Sequence, residues 1–290
     1  MTTVTAPAAV PARRGFRGGR RLARLAVYAA LTVFALFYVI PVYLLFMTGM
    51  KTFAEAAQTS LMWQLPQAAS FDSFGQAWQA ISPNFMNSIK VAVPAAVLSS
   101  VLGSMNGYIL AKWRFRGSET LFTLILFGMF IPYQSILIPL LKVEAAMGLY
   151  NTLLGLVIIH IIYGIPITTL IFRNYYVGIP NELVEASRMD GAGFFGIYRH
   201  VLLPLSVPGF VVVLIWQFTS AWNDFLFAVT LTGQVNWPIT VAVNNLAGSF
   251  EVAWNVQMAG ALIAAVPTLV IYVLLGKYFM RGLLAGSLKG

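Results

Sequence analysis

Six stretches of this sequence are each apolar for long enough to cross a hydrocarbon layer of ~30 Å, a crossing that takes about 20 helical residues. They cover residues 25–47, 89–111, 121–141, 153–175, 207–231 and 257–279. Inside lipid no water can satisfy a bare backbone N–H or C=O, so each stretch has to be helical. The chain is 59% hydrophobic and only 9% charged, which leaves too little polar surface for a water-soluble domain of 290 residues. The expected class is therefore an all-α membrane protein with six transmembrane helices. Every stretch carries proline near or within it, at Pro41, Pro94, Pro132 and Pro139, Pro166, Pro208 and Pro267. Kinked spans follow, packed closely enough for neighbours to satisfy the freed carbonyls.

Charge gives these spans a direction. Residues 1–24 form a basic tail holding Arg13, Arg14, Arg17, Arg20, Arg21 and Arg24. A basic segment before an apolar run also suits a secretory signal peptide, but the run over 25–47 is longer than a signal core and no small-x-small cleavage site follows it. With the amino terminus in the cytoplasm, only Lys51, Lys90 and Lys142 of the 18 lysines and arginines fall outside cytoplasmic segments. Positive charge concentrates on the cytoplasmic side of membrane proteins, so both termini are expected there. The same distribution explains the net charge of +9 without nucleic acid. No cysteine is present, and the two histidines, His160 and His200, are too few and too far apart for a metal site.

Between the fourth and fifth apolar stretches lies a polar interlude, residues 181–204, that gathers Glu182, Glu185 and Asp190 out of only nine acids. Pro180 and Asn181 offer a helix start with acids in the first turn, where the helix dipole favours them. Leu183, Val184, Ala186 and Met189 supply a short apolar stripe. Gly191 and Gly193 allow a sharp reversal. A second short helix fits residues 194–203, with Phe195, Val201 and Leu202 as its apolar side and Pro204 as its stop.

Glu185-Ala186-Ser187, then Gly191, Val201 and Leu203-Pro204 at their spacing, resembles the cytoplasmic coupling motif of permease subunits in binding-protein-dependent ABC importers. Asp190-Gly191-Ala192 and the run from Leu202 to Pro208 are similar to the carbohydrate-uptake branch, in particular the smaller maltose-type subunit. Ser187 and Val201 depart from the commonest pattern, where alanine and isoleucine stand. The resemblance implies a type I importer fold: a permease domain over 25–282 with a helix-turn-helix coupling loop at 181–204, and a cytoplasmic tail over 283–290. It implies that Glu185, Ala186, Ser187, Asp190, Gly191, Ala192, Leu203 and Pro204 engage an ATPase. The terminal Gly-Leu-x-Ala-Gly-x-x-Lys-Gly pattern resembles a tail inserted between ATPase subunits, with Gly286, Ser287 and Lys289 as contacts. The implied partners are a second homologous permease subunit, two ATP-binding subunits that use ATP and magnesium, and an extracytoplasmic sugar-binding protein. The implied location is the cytoplasmic (inner) membrane.

Polar groups at membrane depth are the candidates for a transport path, being unfavourable there unless they face protein or water. In the fifth stretch Gln217, Ser220 and Asp224 are spaced for one helix face, flanked by Trp222, Asn223 and Phe225, and Trp222-Asn223-Asp224-Phe225 resembles a run in sugar permeases. Either this face offers amides, a carboxylate and an aromatic to a sugar, or Asp224 pairs with a neighbouring helix. Gln134, after Pro132, is a second path candidate. His160 reads as a histidine hydrogen-bonded between helices, and Gly103 and Gly107 with Ser100 as a face for close helix packing. Outside, residues 48–88 form the longest loop, with amphipathic pieces lying on the membrane surface. Loop 232–256 holds Asn244, Asn245, Gly248 and Trp254, either a plain surface turn or, as the resemblance implies, a contact with the binding protein.

No catalytic set is found, and Gly276-Lys277 lacks the glycine loop of a phosphate cradle, so this chain binds no cofactor of its own and borrows its energy. The leading function is import of a mono- or oligosaccharide. Import of a glycerol phosphate or other polyol is the alternative; an anionic cargo of that kind would want Lys or Arg well inside the spans, and none is there. A secondary carrier or channel would want several buried ionisable groups, where Asp224 is the chief one.

Overall fold

The computed structural model describes residues 17–113, 115–247 and 252–287. Among them every regular element is helical, and the α-helices run in the order α1 (Arg17–Gly49), α2 (Phe53–Ala56), α3 (Asp72–Lys112), α4 (Ser118–Phe127), α5 (Leu137–Ala146), α6 (Leu153–Val177), α7 (Asn181–Met189), α8 (Phe194–Ile197), α9 (Leu203–Leu205), α10 (Val207–Trp222), α11 (Leu226–Leu231), α12 (Ile239–Asn245) and α13 (Trp254–Ser287). A π-helical turn, Tyr198–Leu202, joins α8 to α9.

Four helices are long and apolar enough to cross a membrane: Leu22–Gly49 within α1, α3, α6, and Trp254–Tyr278 within α13; counting each of two sharply bent pairs as one span raises the number to six. The kink expected at Pro132 is found and is sharp: Ser118–Phe130 and Tyr133–Ala146 meet at 86°. Pro132 lacks a donor and holds its neighbour extended, with Ile131 at ψ 117°. The sequence expectation needs correcting in several places. The fifth stretch stops at Trp222 and resumes at Leu226. The second begins far earlier than residue 89: α3 is one helix of 41 residues, starting at Asp72 and about 60 Å long at 1.5 Å per residue, so the last part of the expected loop 48–88, from Asp72 on, is helix that overshoots the hydrocarbon layer. The basic tail expected over 1–24 turns helical at Arg17, and the tail expected over 283–290 stays helical to Ser287.

The expected close packing at Gly103 and Gly107 is found, and α6 is the partner. A Cβ on Gly107 would lie 2.7 Å from the Arg173 nitrogen and 2.9 Å from the Phe172 carbonyl carbon, and one on Gly103 would collide with Thr168. The two backbones thus meet where α3 has no side chain to hold them apart. Thr168 Oγ1 donates to the Ser99 carbonyl at 3.1 Å, sealing the contact with a hydrogen bond that cannot go to water. Helix α1, by contrast, is exposed along nearly its whole apolar length, as a lipid-facing helix is.

The overshooting end of α3 holds the segment between α11 and α12. Asn84 Nδ2 donates to the Trp237 carbonyl at 2.8 Å, Asn87 Nδ2 to the Val235 carbonyl at 3.0 Å, and Ser88 Oγ accepts the Ile239 N–H at 2.7 Å. Residues 50–71 are pinned beside it by Lys51, whose buried ammonium donates to the carbonyls of Leu61 at 2.6 Å and Met62 at 3.2 Å. Burial pushes the Lys51 ammonium below the ordinary lysine range, with Glu55 opposing.

Candidate functional site: a projecting knob and a broken span

The polar interlude folds as a helix, a turn and a second helix. Helix α7 starts at Asn181 with Glu182 in its first turn. Gly191, at φ 84°, makes the reversal in a region that other residues avoid. Its N–H bonds the Arg188 carbonyl at 3.0 Å, and the N–H of Ala192 bonds the Ser187 carbonyl at 2.9 Å, so the end of α7 is closed. Of the expected stripe only Val184 is buried; Met189 is 89% exposed, and Leu183 and Ala186 are exposed. In the second helix Ile197 and Leu202 are fully buried while Phe195 is 68% exposed. The sequence pattern placed too much of the apolar surface inside, because the knob packs by only one edge.

Pro204 does not stop the second helix. The Leu203 N–H reaches back five residues to the Tyr198 carbonyl, and this wide turn carries the chain past the proline. The direction then changes at Ser206, where Phe194–Leu205 and Val207–Trp222 meet at 78°.

Glu185, Asp190, Gly191 and Pro204 are exposed, as is Ala186; Ser187, Ala192 and Leu203 are half-buried. Ser187 spends its hydroxyl on the Leu183 carbonyl at 2.7 Å. Beside them a cleft of about 400 Å³ is lined by Ala111, Lys112, Val177, Asn181, Val184, Glu185 and Arg188. Lys112 Nζ donates to the Ile179 carbonyl at 2.6 Å and to Asn181 Oδ1 at 2.7 Å, and the Arg188 guanidinium lies 4.3 Å from the Trp113 ring centre. Gly286 and Ser287 are the last two residues of α13, and Lys289 lies outside the described residues, as does Gly248.

The second region is the break between α10 and α11. Asp224 is not on the face of Gln217 and Ser220, because α10 has already ended. Its carboxylate instead caps α11, accepting from the Phe227 N–H at 3.3 Å and the Ala228 N–H at 3.0 Å. Its Oδ2 also stands 3.6 Å from Nε2 of His160 on α6. Gln217 is buried and donates to the His160 carbonyl at 2.9 Å, lying against Gly164. Trp222 is 1% exposed; it stacks on Phe218 with ring centres 5.5 Å apart and donates its indole N–H to the Ala264 carbonyl at 2.9 Å, so it has no face left for a solute. Ser220, Asn223 and Gln134 are exposed, as are Asn244, Asn245 and Trp254 beyond. Trp216, which sequence reasoning passed over, is 53% exposed and shares the face of Ser220 and Asn223 by helical spacing.

These arrangements define a polytopic helical membrane protein with a knob outside the bundle and a polar break within it. The chain belongs to the family described as binding-protein-dependent transport system inner membrane component, whose model matches residues 100–284. A protein of Pyrococcus horikoshii named "Probable ABC transporter permease protein" is 48% identical over 269 residues, spanning 92% of this chain and 98% of that one. The xylose/arabinose import permease protein of Haloferax volcanii is 37% identical over 286 residues, with 90% and 92% covered. The glucose import system permease protein of Saccharolobus solfataricus is 31% identical over 273 residues, with 91% and 95% covered. The fold is similar to a chain from a bacterial ABC transporter involved in the import of the acidic polysaccharide alginate, with a TM-score of 0.76 at 23% identity, over 91% of this chain and 99% of that one. The chain is an ABC transporter permease subunit with the type I importer fold.

Proposed function

We propose that this subunit, paired with a second homologous permease and two ATP-binding subunits, imports a mono- or oligosaccharide handed over by an extracytoplasmic binding protein. The observation that carries this reading is the knob: a short, exposed, sharply reversed projection tipped with Met189 and Phe195, apolar surface that water does not favour and a seat on an ATPase would cover. In this reading six spans cross the inner membrane, counting each bent pair as one, with the knob and both termini in the cytoplasm. The ATPase subunits hold the ATP and magnesium; this chain supplies no catalytic group and forms half of the pathway. Glu185 and the turn at Gly191 sit in the ATPase groove, with Gly286, Ser287 and Lys289 meeting the same partners. Nucleotide-driven closure of the ATPases then rocks α10 and α6 around the break at Asn223.

The sugar assignment is supported by the names of the relatives and by the absence of Lys or Arg deep in the spans. Ser220, Asn223 and Gln134 are the exposed polar groups for sugar hydroxyls. Gln217 and Asp224 shape the break behind them. Asn244, Asn245 and Trp254, with Gly248 between, form the surface for the binding protein.

The absence of native cysteine makes the test clean. Glu185→Cys and Gly191→Cys should each crosslink to an ATPase subunit in membranes containing the whole complex. Labelling of either position by an impermeant maleimide added outside intact cells, with no ATPase crosslink, would overturn the reading.

A further inference from the structure

The knob is joined to the spans by more than apolar contact. Ser104 of α3 is fully buried, and its hydroxyl lies 2.6 Å from Tyr176 Oη of α6 and 2.9 Å from Tyr198 Oη at the start of the π-helical turn. Tyr176 Oη donates onward to Ser206 Oγ at 3.1 Å, and Ser206 donates to the Leu203 carbonyl at 3.0 Å. Tyr108, one turn beyond Ser104, stacks on Phe194 at 4.8 Å and on Tyr198 at 5.7 Å, and gives its hydroxyl to the Phe194 carbonyl at 3.2 Å. One chain of hydroxyls therefore joins four elements: α3 and α6, which pack closely at Gly103 and Gly107, the second helix of the knob, and the corner that starts α10.

Such a junction differs from an apolar contact in its response to displacement. Greasy surfaces slide with little change in free energy, whereas a buried hydroxyl that loses its partner finds no water to replace it. Tyr176, Ser104 and Ser206 are all sealed from solvent, so no water replaces a partner lost from their chain. Tyr198 is half-buried and sits on a π turn, a segment whose hydrogen bonding is already rearranged around Pro204.

We propose that the Ser104–Tyr198 hydroxyl contact is the restraint that ties the knob to the α3–α6 pair, with Tyr176 and Ser206 as its fixed pin and the π turn as the element that yields. This rests on the knob being the seat of an ATPase. Held by the contact, the knob cannot follow ATPase closure unless the spans move as well. Without it, the Tyr108 contacts still hold the knob, but ATPase closure is less tightly tied to movement of the spans.

The test is basal ATP hydrolysis by the assembled permease–ATPase complex in nanodiscs without binding protein, expressed per assembled complex, a readout that needs no knowledge of the solute. Tyr198→Phe should raise that rate by about fivefold, the factor one ordinary hydrogen bond is worth, while the Glu185→Cys crosslink to the ATPase persists. Ser104→Ala, which also removes the bond to Tyr176, should raise the rate at least as far, and the double variant should not exceed Ser104→Ala, because Tyr198→Phe removes a contact already lost. A contact serving only stability would lower the yield of complex and leave the rate per complex unchanged; that result, or multiplied effects in the double variant, overturns the proposal while the crosslink keeps the knob's role. Loss of the crosslink in the unmodified background overturns both.

Discussion

Asp224 faces His160 across the break between α10 and α11, Oδ2 to Nε2 at 3.6 Å, while the same carboxylate holds the first free N–H groups of α11. One acid thus ends a span, starts the next helix and ties both to α6. Asp224→Ala should remove a helix cap worth about 1 kcal/mol and lower the melting temperature of the detergent-extracted protein by about 2 °C. Asp224→Asn, which keeps an acceptor, should recover most of that loss. Equal melting of Asp224→Ala and the parent protein would show that the break holds without its cap.

Trp222 separates packing from transport. Trp222→Ala should cost about 3–5 kcal/mol by emptying a fully buried site. Trp222→Phe should keep the stack on Phe218 and lose mainly the hydrogen bond to Ala264, about 1 kcal/mol, with transport per folded complex unchanged. A transport defect in Trp222→Phe at full thermal stability would return the residue to the solute path.

Gly107→Ala should destabilise the subunit by about 1–3 kcal/mol, because the atoms a methyl would meet belong to the Phe172 and Arg173 backbone and cannot swing aside. Gly193→Ala is the control: its backbone is extended, at φ −75° and ψ 179°, and nothing lies within 4 Å of the added methyl. Fluorescence-detected size exclusion after heating would rank the two.

Acid should loosen the outer segment around α2. Glu55 accepts from the Gln67 N–H at 2.8 Å and the Thr52 N–H at 3.1 Å, and these bonds hold its carboxyl below the ordinary glutamate range. A lowered native value means the stabilisation is full above the unfolded value of about 4.3 and fades as pH falls through the native one. Hydrogen exchange at the Gln67 amide should therefore speed up, beyond the intrinsic pH trend, only below about pH 4.3, and Glu55→Gln should show no such step.

The knob shows how far residue types alone can reach. Asn181 as a helix start and Gly191 as the reversal were legible, because a helix dipole and a positive φ are local demands met by local residues. Met189 and Phe195 were misplaced, since an apolar stripe says that a face avoids water without saying whether this chain or another will cover it. Pro204 was misread as a stop because the π turn that accommodates it depends on packing against α3 and α6. The hydroxyl junction was not legible at all: Ser104 lies 72 residues from Tyr176 and 94 from Tyr198, and no periodicity links them.

What the sequence determined unaided was which segments favour lipid over water, since hydrophobicity acts residue by residue on transfer between the two; the direction of the chain through the membrane is an expectation from its positive charges. It also marked Gly103 and Gly107 as a place for close approach. The tertiary structure alone decided what approaches there, how sharply the third stretch bends, where the fifth breaks, and what each buried polar group does. Once a span is in lipid, hydrophobicity no longer distinguishes one neighbour from another, and the choice falls to shape and to hydrogen bonds that need a partner from elsewhere in the chain.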